Sequence, residues 1–230
     1  MTDKMIIFDC DGVLVDSEII ANRIDAEMLS ELGYAISTED SIKRFTGMNA
    51  ATVRDIIFQE SGINLPEDLS DLTQKCILNA FENELKPLMY EVLEHCFFMI
   101  KCVASSSPRA RVLKSLELTK QDHFFTQESI FTSSQVKRGK PFPDLFLFAA
   151  QQMGVAPQNC LVVEDSMAGI KAAKSAGMDV VGFLGGSHAG FEWYRHNIQS
   201  LGVPIALNAA DLIDQLNHFN NDSALKIVGV

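Results

Sequence analysis

Residues 8–17 read FDCDGVLVDS, and they continue the apolar run MIIF of residues 5–8. A short apolar run that ends at acidic residues and a glycine is typical of a buried parallel strand ending at a functional loop. In extended backbone, side chains two residues apart point the same way, so we expect Asp9 and Asp11 to face one pocket. Gly12 allows a sharp turn beside them. Adjacent carboxylates suit a hard cation, a nucleophile beside a proton donor, or both; a solvated acidic turn is the alternative.

The rest of the chain alternates short apolar runs with longer helical patterns. Further strands are predicted at residues 98–104, 161–163, 180–183 and 204–207, with a weaker candidate at 129–132. Helices are predicted between them at residues 108–116, 144–153 and 167–176. This alternation indicates an α/β fold: a Rossmann-like parallel sheet with helices on both faces.

One segment, residues 17–86, breaks the alternation. It has helical periodicity and no convincing strand, and four helices are predicted there, at 17–33, from 37 to near 47, at 49–61 and at 70–81. We interpret residues 17–86 as an all-helical cap domain inserted after the first strand. Residues 1–16 and 87–230 then form the α/β core domain.

The composition is that of an acidic globular protein. The 230 residues include 30 acidic and 19 basic ones, so the formal charge is −11, and 47% of the residues are hydrophobic. Such a chain repels nucleic acid and anionic membranes, so neither is expected as a partner. The sequence has no secretory signal pattern, and no apolar run approaches the roughly 20 residues of a membrane span. We expect a cytoplasmic protein, by default a monomer.

The five cysteines are odd in number and lack the spacings of a zinc site. We therefore expect them to be reduced residues of the apolar core.

A second acidic pair, Glu164 and Asp165, follows the predicted strand at residues 161–163. Parallel strands present their carboxyl ends at one edge, so this pair is expected to meet Asp9 and Asp11. Converging carboxylates repel one another unless a cation holds them or some are protonated. Taken alone, the pair is equally typical of ordinary helix capping.

Two further segments supply groups that suit an anion. Ser105 and Ser106 lie where a strand leads into a helix, and hydroxyls and free N–H groups there form an anion site, although a plain serine cap looks the same. Lys140 lies in the basic, proline-rich stretch 136–144 and is suited to neutralising carboxylates and a bound anion. Lys137 and Arg138 are interpreted as solvated surface. The four segments together predict a phosphoryl-transfer site.

The order and spacing of these segments resemble the haloacid dehalogenase superfamily. The resemblance is to phosphatases with a helical cap inserted after the first strand, the group of the β-phosphoglucomutases and sugar-phosphate phosphatases. The first motif, DxDGxLxDS, is intact from Asp9 to Ser17. Ser105 matches the second motif, Lys140 the third, and residues 164–166 (EDS) the fourth.

The resemblance implies a chemistry for the acidic residues. Asp9 would attack phosphorus and form an aspartyl-phosphate, while Asp11 would protonate the leaving oxygen and then deprotonate the hydrolytic water. Mg²⁺ would be held by a carboxylate oxygen of Asp9, the main-chain carbonyl of Asp11, and Asp165. Glu164 would be a further ligand or a group behind the ligands.

The resemblance also implies the residues that bind substrate. Ser105 and Lys140 would hold the phosphoryl oxygens, with Ser106 beside them. Thr46 and Gly47 would contribute from the cap. The implied activity is a Mg²⁺-dependent phosphatase acting on a small phosphorylated metabolite, expected to be a sugar phosphate.

Two alternatives remain at this point. A β-phosphoglucomutase-like mutase would carry a cap histidine where this chain has Ala21, and a cap arginine near Ala50, so a hydrolase is favoured. Lys43 or Arg44 would have to substitute for that arginine, although both suit a solvated helix face. A non-catalytic metabolite-binding protein is disfavoured because every motif residue is present.

Three residues that follow the predicted strand at residues 180–183 lie outside these four segments. His188 follows a predicted strand in a glycine-rich stretch and either lines the mouth of the pocket or belongs to an ordinary turn. Trp193 and Tyr194 are interpreted as packing residues.

Overall fold

The computed structural model describes residues 4–46, 48 and 50–225. Within these residues a single parallel sheet has six strands in the order β3-β2-β1-β4-β5-β6. The strands β1 to β6 are Met5–Phe8, Ile100–Ser105, Ile130–Thr132, Cys160–Glu164, Asp179–Phe183 and Ile205–Ala206. Strands β2 and β3 lie on one side of β1, and β4 to β6 lie on the other. Open α/β sheets bind ligands at such a reversal of the strand order.

The helices of the described chain fall into an inserted group and a group that covers the sheet. The inserted helices α1 to α4 are Glu18–Glu31, Thr38–Phe45, Ala50–Ser61 and Leu69–Glu84. The covering helices α5 to α10 are Tyr90–His95, Arg109–Leu118, Asp144–Met153, Met167–Ser175, Glu192–Gln199 and Ala209–Leu225. In the part of the chain described, none of these helices has the length and apolarity to cross a membrane.

Strand β1 is buried on both faces, which is why it reads as an unbroken apolar run. Its side chains alternate between two apolar layers. Ile6 and Phe8 pack with residues of α5, α6 and α10, whereas Met5 and Ile7 pack with residues of α7 and α8. The predicted parallel sheet with helices on both faces is confirmed.

The cap helices α1–α4 have small apolar clusters of their own. One cluster joins α1 to α4 and includes Ile24 and Phe81. Another joins α2 to α3 and includes Phe45 and Ile57. Where the chain leaves and re-enters the core, the Asp16 N–H donates to the Lys86 carbonyl at 3.0 Å. The segment predicted as the cap is helical, while its boundaries as a domain stay a prediction.

Four of the five cysteines are buried, and Cys76 is exposed; none forms a disulfide. Their reduced state stays a prediction. The expectation that all are core residues is wrong for Cys76, which lies on the cap helix α4 and faces solvent.

Two phenylalanines at opposite extremes of burial test the importance of the apolar layers. Phe183 on β5 is 1% exposed, so Phe183→Ala is expected to lower the free energy of unfolding by about 3–5 kcal/mol. Phe98 is 98% exposed, and Phe98→Ala should change it by no more than about 0.5 kcal/mol. Urea unfolding of both variants measures the difference. Equal destabilisation would contradict this description of the core.

Candidate active site

The carboxyl ends of β1, β2 and β4 bring the sequence-predicted residues to one place. Phe8 pairs with Val103 on one side and Val163 on the other, so Asp9, Ser105 and Glu164 emerge near one another. The Asp9 N–H donates to the Val163 carbonyl at 3.0 Å, which extends the pairing by one residue.

Gly12 allows the loop after β1 to approach the β4 loop closely. Its φ of +76° lies in the left-handed region, and a Cβ there would lie 2.1 Å from Oδ2 of Asp165. Both the conformation and the contact exclude a side chain, so the glycine is a steric requirement of the site.

Lys140 ties the two acidic segments together. Its Nζ donates to Asp9 Oδ1 at 2.8 Å and to Glu164 Oε1 at 2.5 Å, and its side chain is only 4% exposed. Burial opposes the charged form, but Asp9 and Glu164 outweigh that cost and raise the pKa of Lys140. The lysine is therefore a permanent positive charge beneath the acidic residues.

Three buried carboxylates converge above this lysine. Oxygen atoms of Asp9, Glu164 and Asp165 all lie within 4.8 Å of one another. Burial is the main cause that raises the pKa of Asp9 and of Asp165 well above the usual range. Oxygen donors of this charge are the ligands that a hard divalent cation prefers, so the residues fit such an ion.

Glu164 already has a partner for each of its carboxylate oxygens. Oε1 accepts from Lys140, while Oε2 accepts from the Ser166 N–H at 2.8 Å and the Ser166 hydroxyl at 2.9 Å. These bonds orient Lys140 and the start of α8. That Glu164 is a metal ligand stays a prediction. Because both of its carboxylate oxygens already accept hydrogen bonds, they favour the alternative, in which Glu164 lies next to the ligands without contacting the metal.

The Asp11 carboxylate lies in a separate hydrogen-bonded environment. Oδ1 accepts from the Ser17 hydroxyl at 2.7 Å and from Arg111 at 3.0 Å, and Oδ2 accepts from the Ser107 hydroxyl at 2.6 Å. Burial opposes ionisation, but Arg111 and the hydroxyls outweigh it and lower the pKa of Asp11. The predicted metal contact of Asp11 concerns its main-chain carbonyl and stays a prediction.

Arg111 and Ser107 are functional candidates that the sequence reasoning missed. Ser107 lies within the serine run before α6, and its hydroxyl could have been included on that ground. Arg111 has no comparable signal, because its contact with Asp11 joins residues 100 positions apart.

These groups lie at the floor of a cavity of about 680 Å³, whose walls come from the core and from the cap helices α1–α4. The predicted substrate-binding residues Ser105, Ser106, Lys140 and Thr46 all line it. Gly47 lies outside the described residues. Ser105 is 1% exposed, and its hydroxyl accepts from the Ser107 N–H at 3.0 Å.

The residues after β5 close one side of the cavity. Trp193 and Tyr194 line it, so their interpretation as packing residues alone is incomplete. Tyr194 also donates to the Asp165 carbonyl at 3.3 Å. His188 is buried, with Nε2 at 2.8 Å from Asp165 Oδ2, in a turn whose Ser187 N–H donates to Asp16. His188 thus packs behind the site.

The cap residues that bear on a mutase have clear positions. Ala21 and Ala50 both line the cavity and offer no charge to a second phosphate. Arg44 is engaged within the cap, where it pairs with Glu60 at 2.6 Å. Lys43 lines the cavity from an exposed position on α2.

The fold and the acidic edge of the sheet define the class of protein. Residues 6–183 match the haloacid dehalogenase-like hydrolase family, and the chain belongs to it. Family membership confirms the resemblance found in the sequence and the assignment of the chain as a hydrolase.

Relatives and solved structures agree with this class. A 6-phosphogluconate phosphatase of Escherichia coli is 32% identical over 187 residues, which cover 80% of this chain and 84% of the relative. A β-phosphoglucomutase of Bacillus subtilis is 29% identical over 196 residues, covering 78% and 82%. A haloacid dehalogenase-like protein of unknown function from Agrobacterium tumefaciens superimposes with a TM-score of 0.83 at 33% identity, covering 95% of this chain and 99% of that one. The phosphatase relative agrees with the predicted class of phosphoric monoester hydrolase.

Gly169 on α8 offers a test of the acidic cluster that leaves every carboxylate in the sequence. A Cβ at this position would lie 1.9 Å from Cδ of Glu164, so Gly169→Ala is expected to displace that carboxylate and loosen Lys140. Affinity for Mg²⁺ or Mn²⁺, measured by titration calorimetry, should fall by about 10–100-fold.

Gly190→Ala is the matched control, because a Cβ there meets nothing within 4 Å. Its affinity should equal that of the unchanged protein. If Gly169→Ala binds the cation as well as this control does, the carboxylate of Glu164 has no part in organising the cluster.

Proposed function

We propose that the protein is a Mg²⁺-dependent phosphatase that hydrolyses a small phosphorylated metabolite of the sugar-phosphate class through an aspartyl-phosphate. The observation that carries this proposal is the position of Asp9. Its carboxylate lies at the floor of the cavity, 2.8 Å from the Lys140 ammonium and within a cluster of buried carboxylates.

In the first step, an Asp9 oxygen attacks phosphorus, the P–O bond to Asp9 forms, and the bond to the leaving oxygen breaks. Asp11 gives its proton to that oxygen. The arriving phosphate dianion adds negative charge beside Asp11 and favours the protonated form needed for this step, against the effect of Arg111. Lys140 and Ser105 hold the phosphoryl oxygens.

In the second step, water attacks phosphorus, and Asp11 takes the proton from that water. The bond between the Asp9 oxygen and phosphorus breaks. This regenerates the Asp9 carboxylate and releases free phosphate. The contact with Arg111 favours the ionised Asp11 that this step needs. Positioned acid–base help of this kind contributes roughly 10²–10⁴-fold in rate.

The proposed ligands of Mg²⁺ are Asp9 and Asp165 through carboxylate oxygens and Asp11 through its main-chain carbonyl, with Glu164 as a ligand or behind them. When bound, the ion would supply positive charge that offsets the phosphoryl oxygens. Three carboxylates and Lys140 otherwise leave a negative site that repels a phosphate dianion.

The sugar-phosphate class is supported by the 6-phosphogluconate phosphatase relative and by the polar cap side chains among those that line the cavity. The β-phosphoglucomutase relative supports the mutase alternative. Ala21 and Ala50 favour hydrolysis, because neither provides a group that would retain a bisphosphate. The cytoplasmic location, the monomeric state and the exclusion of nucleic acid and membranes as partners stay predictions.

Replacing the proposed nucleophile tests the function directly. Asp9→Asn should lower the release of phosphate from p-nitrophenyl phosphate by about 10⁴-fold or more, because an amide is a poor nucleophile. The matched control is Asp179→Asn, an exposed residue at the far end of β5, which should keep full activity. EDTA should abolish the activity of the unchanged protein, and added Mg²⁺ should restore it.

Full activity of Asp9→Asn would overturn the nucleophile assignment. The mutase alternative is tested with glucose 1-phosphate as the substrate and a catalytic amount of the corresponding sugar bisphosphate. Phosphate release faster than isomerisation is expected, and net isomerisation that outpaces release would reverse the preference for a hydrolase.

A further inference from the structure

One face of cap helix α1 presents a row of polar side chains to the cavity. Glu18, Asn22 and Asp25 all line it, and their spacing of four and three residues puts them on one side of the helix. Leu29 continues the same face into the apolar interior of the cap. The polar row therefore lies on the part of the helix nearer the reacting residues.

Asn22 orients Glu18 and uses its own hydrogen-bonding groups in doing so. Its Nδ2 donates to the Glu18 carbonyl at 2.9 Å and to Glu18 Oε2 at 3.2 Å. Its Oδ1 accepts from the hydroxyls of Ser41 at 3.2 Å and Thr46 at 3.4 Å. Asn22 is itself buried, and its hydrogen bond holds the Glu18 carboxylate in place.

The free acceptors of the row face the cavity. Among the residues that the structure describes, neither Glu18 Oε1 nor either Asp25 oxygen has a hydrogen-bond donor. Acceptors left open at a ligand cavity are suited to donors on the ligand. The hydroxyl groups of a sugar or polyol are donors of this kind.

The row also disfavours a second anionic group on the substrate. Burial is the main cause that raises the pKa of Glu18 to about 7 and that of Asp25 to about 6. The raised pKa values indicate that negative charge is unfavourable at this wall of the cavity. Arg111 is one of the cations that line the cavity, but it is bound to Asp11 at 3.0 Å and lies over the Phe81 ring at 5.2 Å.

We infer that Asp25 and Glu18, the latter held by Asn22, bind hydroxyl groups of the leaving group and select an uncharged polyol or sugar monophosphate over a substrate with a second anion. This inference rests on the proposed phosphatase function and deepens it. Lys43 and Arg54 also line the cavity, and they are the groups that a carboxylate-bearing substrate would use instead.

The test compares three substrates: a hexitol phosphate, 6-phosphogluconate, and p-nitrophenyl phosphate, whose leaving group has no further hydroxyl. The unchanged protein should hydrolyse the hexitol phosphate with the higher kcat/KM of the two sugar-derived substrates. Asp25→Ala should lower kcat/KM for the hexitol phosphate at least tenfold relative to that for p-nitrophenyl phosphate. A purely structural defect would lower both equally.

Asp25→Asn separates hydrogen bonding from charge. It keeps an acceptor oxygen, so activity on the hexitol phosphate should exceed that of Asp25→Ala, while the relative kcat/KM for 6-phosphogluconate should rise. The matched control is Glu31→Ala, an exposed carboxylate at the end of α1, which should leave all three values unchanged.

Several results would overturn the inference: equal loss on all substrates in Asp25→Ala, or a preference for 6-phosphogluconate that Asp25→Asn leaves unaltered. Faster hydrolysis of an amino-sugar phosphate than of the matching hexose phosphate would also contradict it. Failure of the unchanged protein to hydrolyse even p-nitrophenyl phosphate would instead overturn the phosphatase function itself, and this inference with it.

Discussion

The contact of the Lys140 ammonium with Asp9 and Glu164 is the interaction on which the site depends. Within the described residues, the cluster holds three buried carboxylates against this one lysine, so two negative charges stay uncompensated when all are ionised. Unpaired buried charge is costly, and a protein relieves it by taking up protons or a cation. A divalent cation would supply the missing charge. Burial, and after it the neighbouring carboxylates, raise the pKa of Asp9 and of Asp165.

The steric requirements of the site follow from this concentration of charge. Gly12 and Gly169 are the places where the backbone approaches Asp165 and Glu164 too closely for a Cβ. Asp11 escapes the imbalance because Arg111 pairs with it outside the cluster. The two carboxylates of the first motif therefore have opposite shifts of pKa, raised for Asp9 and lowered for Asp11. The proposed roles need an ionised Asp9 and a protonated Asp11 at the first step, so a bound cation would have to lower the pKa of Asp9 and the bound phosphate would have to raise that of Asp11.

Core and cap are in contact around the cavity. The Arg111 guanidinium lies over Phe81 of α4, and the Trp193 indole N–H donates to Glu39 of α2 at 2.7 Å. In the proposed function the core would supply the reacting residues from strand ends. The cap would supply the face that meets the rest of the substrate, so chemistry and selectivity would be carried by different parts of the chain.

Much of the fold and the acidic site was predictable because buried parallel strands have an apolar signature and their carboxyl ends coincide. That rule alone brings Asp9, Ser105 and Glu164 together. Arg111 could not be predicted, since its contact with Asp11 depends on how α6 is rotated against the sheet. The positions of Asp25 and Trp193 in the cavity wall could not be predicted either, because local sequence does not fix which face of a helix borders a cavity.

We propose that the carboxylate cluster above Lys140 is completed by a divalent cation. The most direct measurement is a crystal structure of the protein grown with Mn²⁺, with anomalous difference density recorded at the manganese absorption edge. We predict a single strong peak within coordination distance of carboxylate oxygens of Asp9 and Asp165. An active protein crystallised at saturating Mn²⁺ with no peak at these residues would contradict the claim.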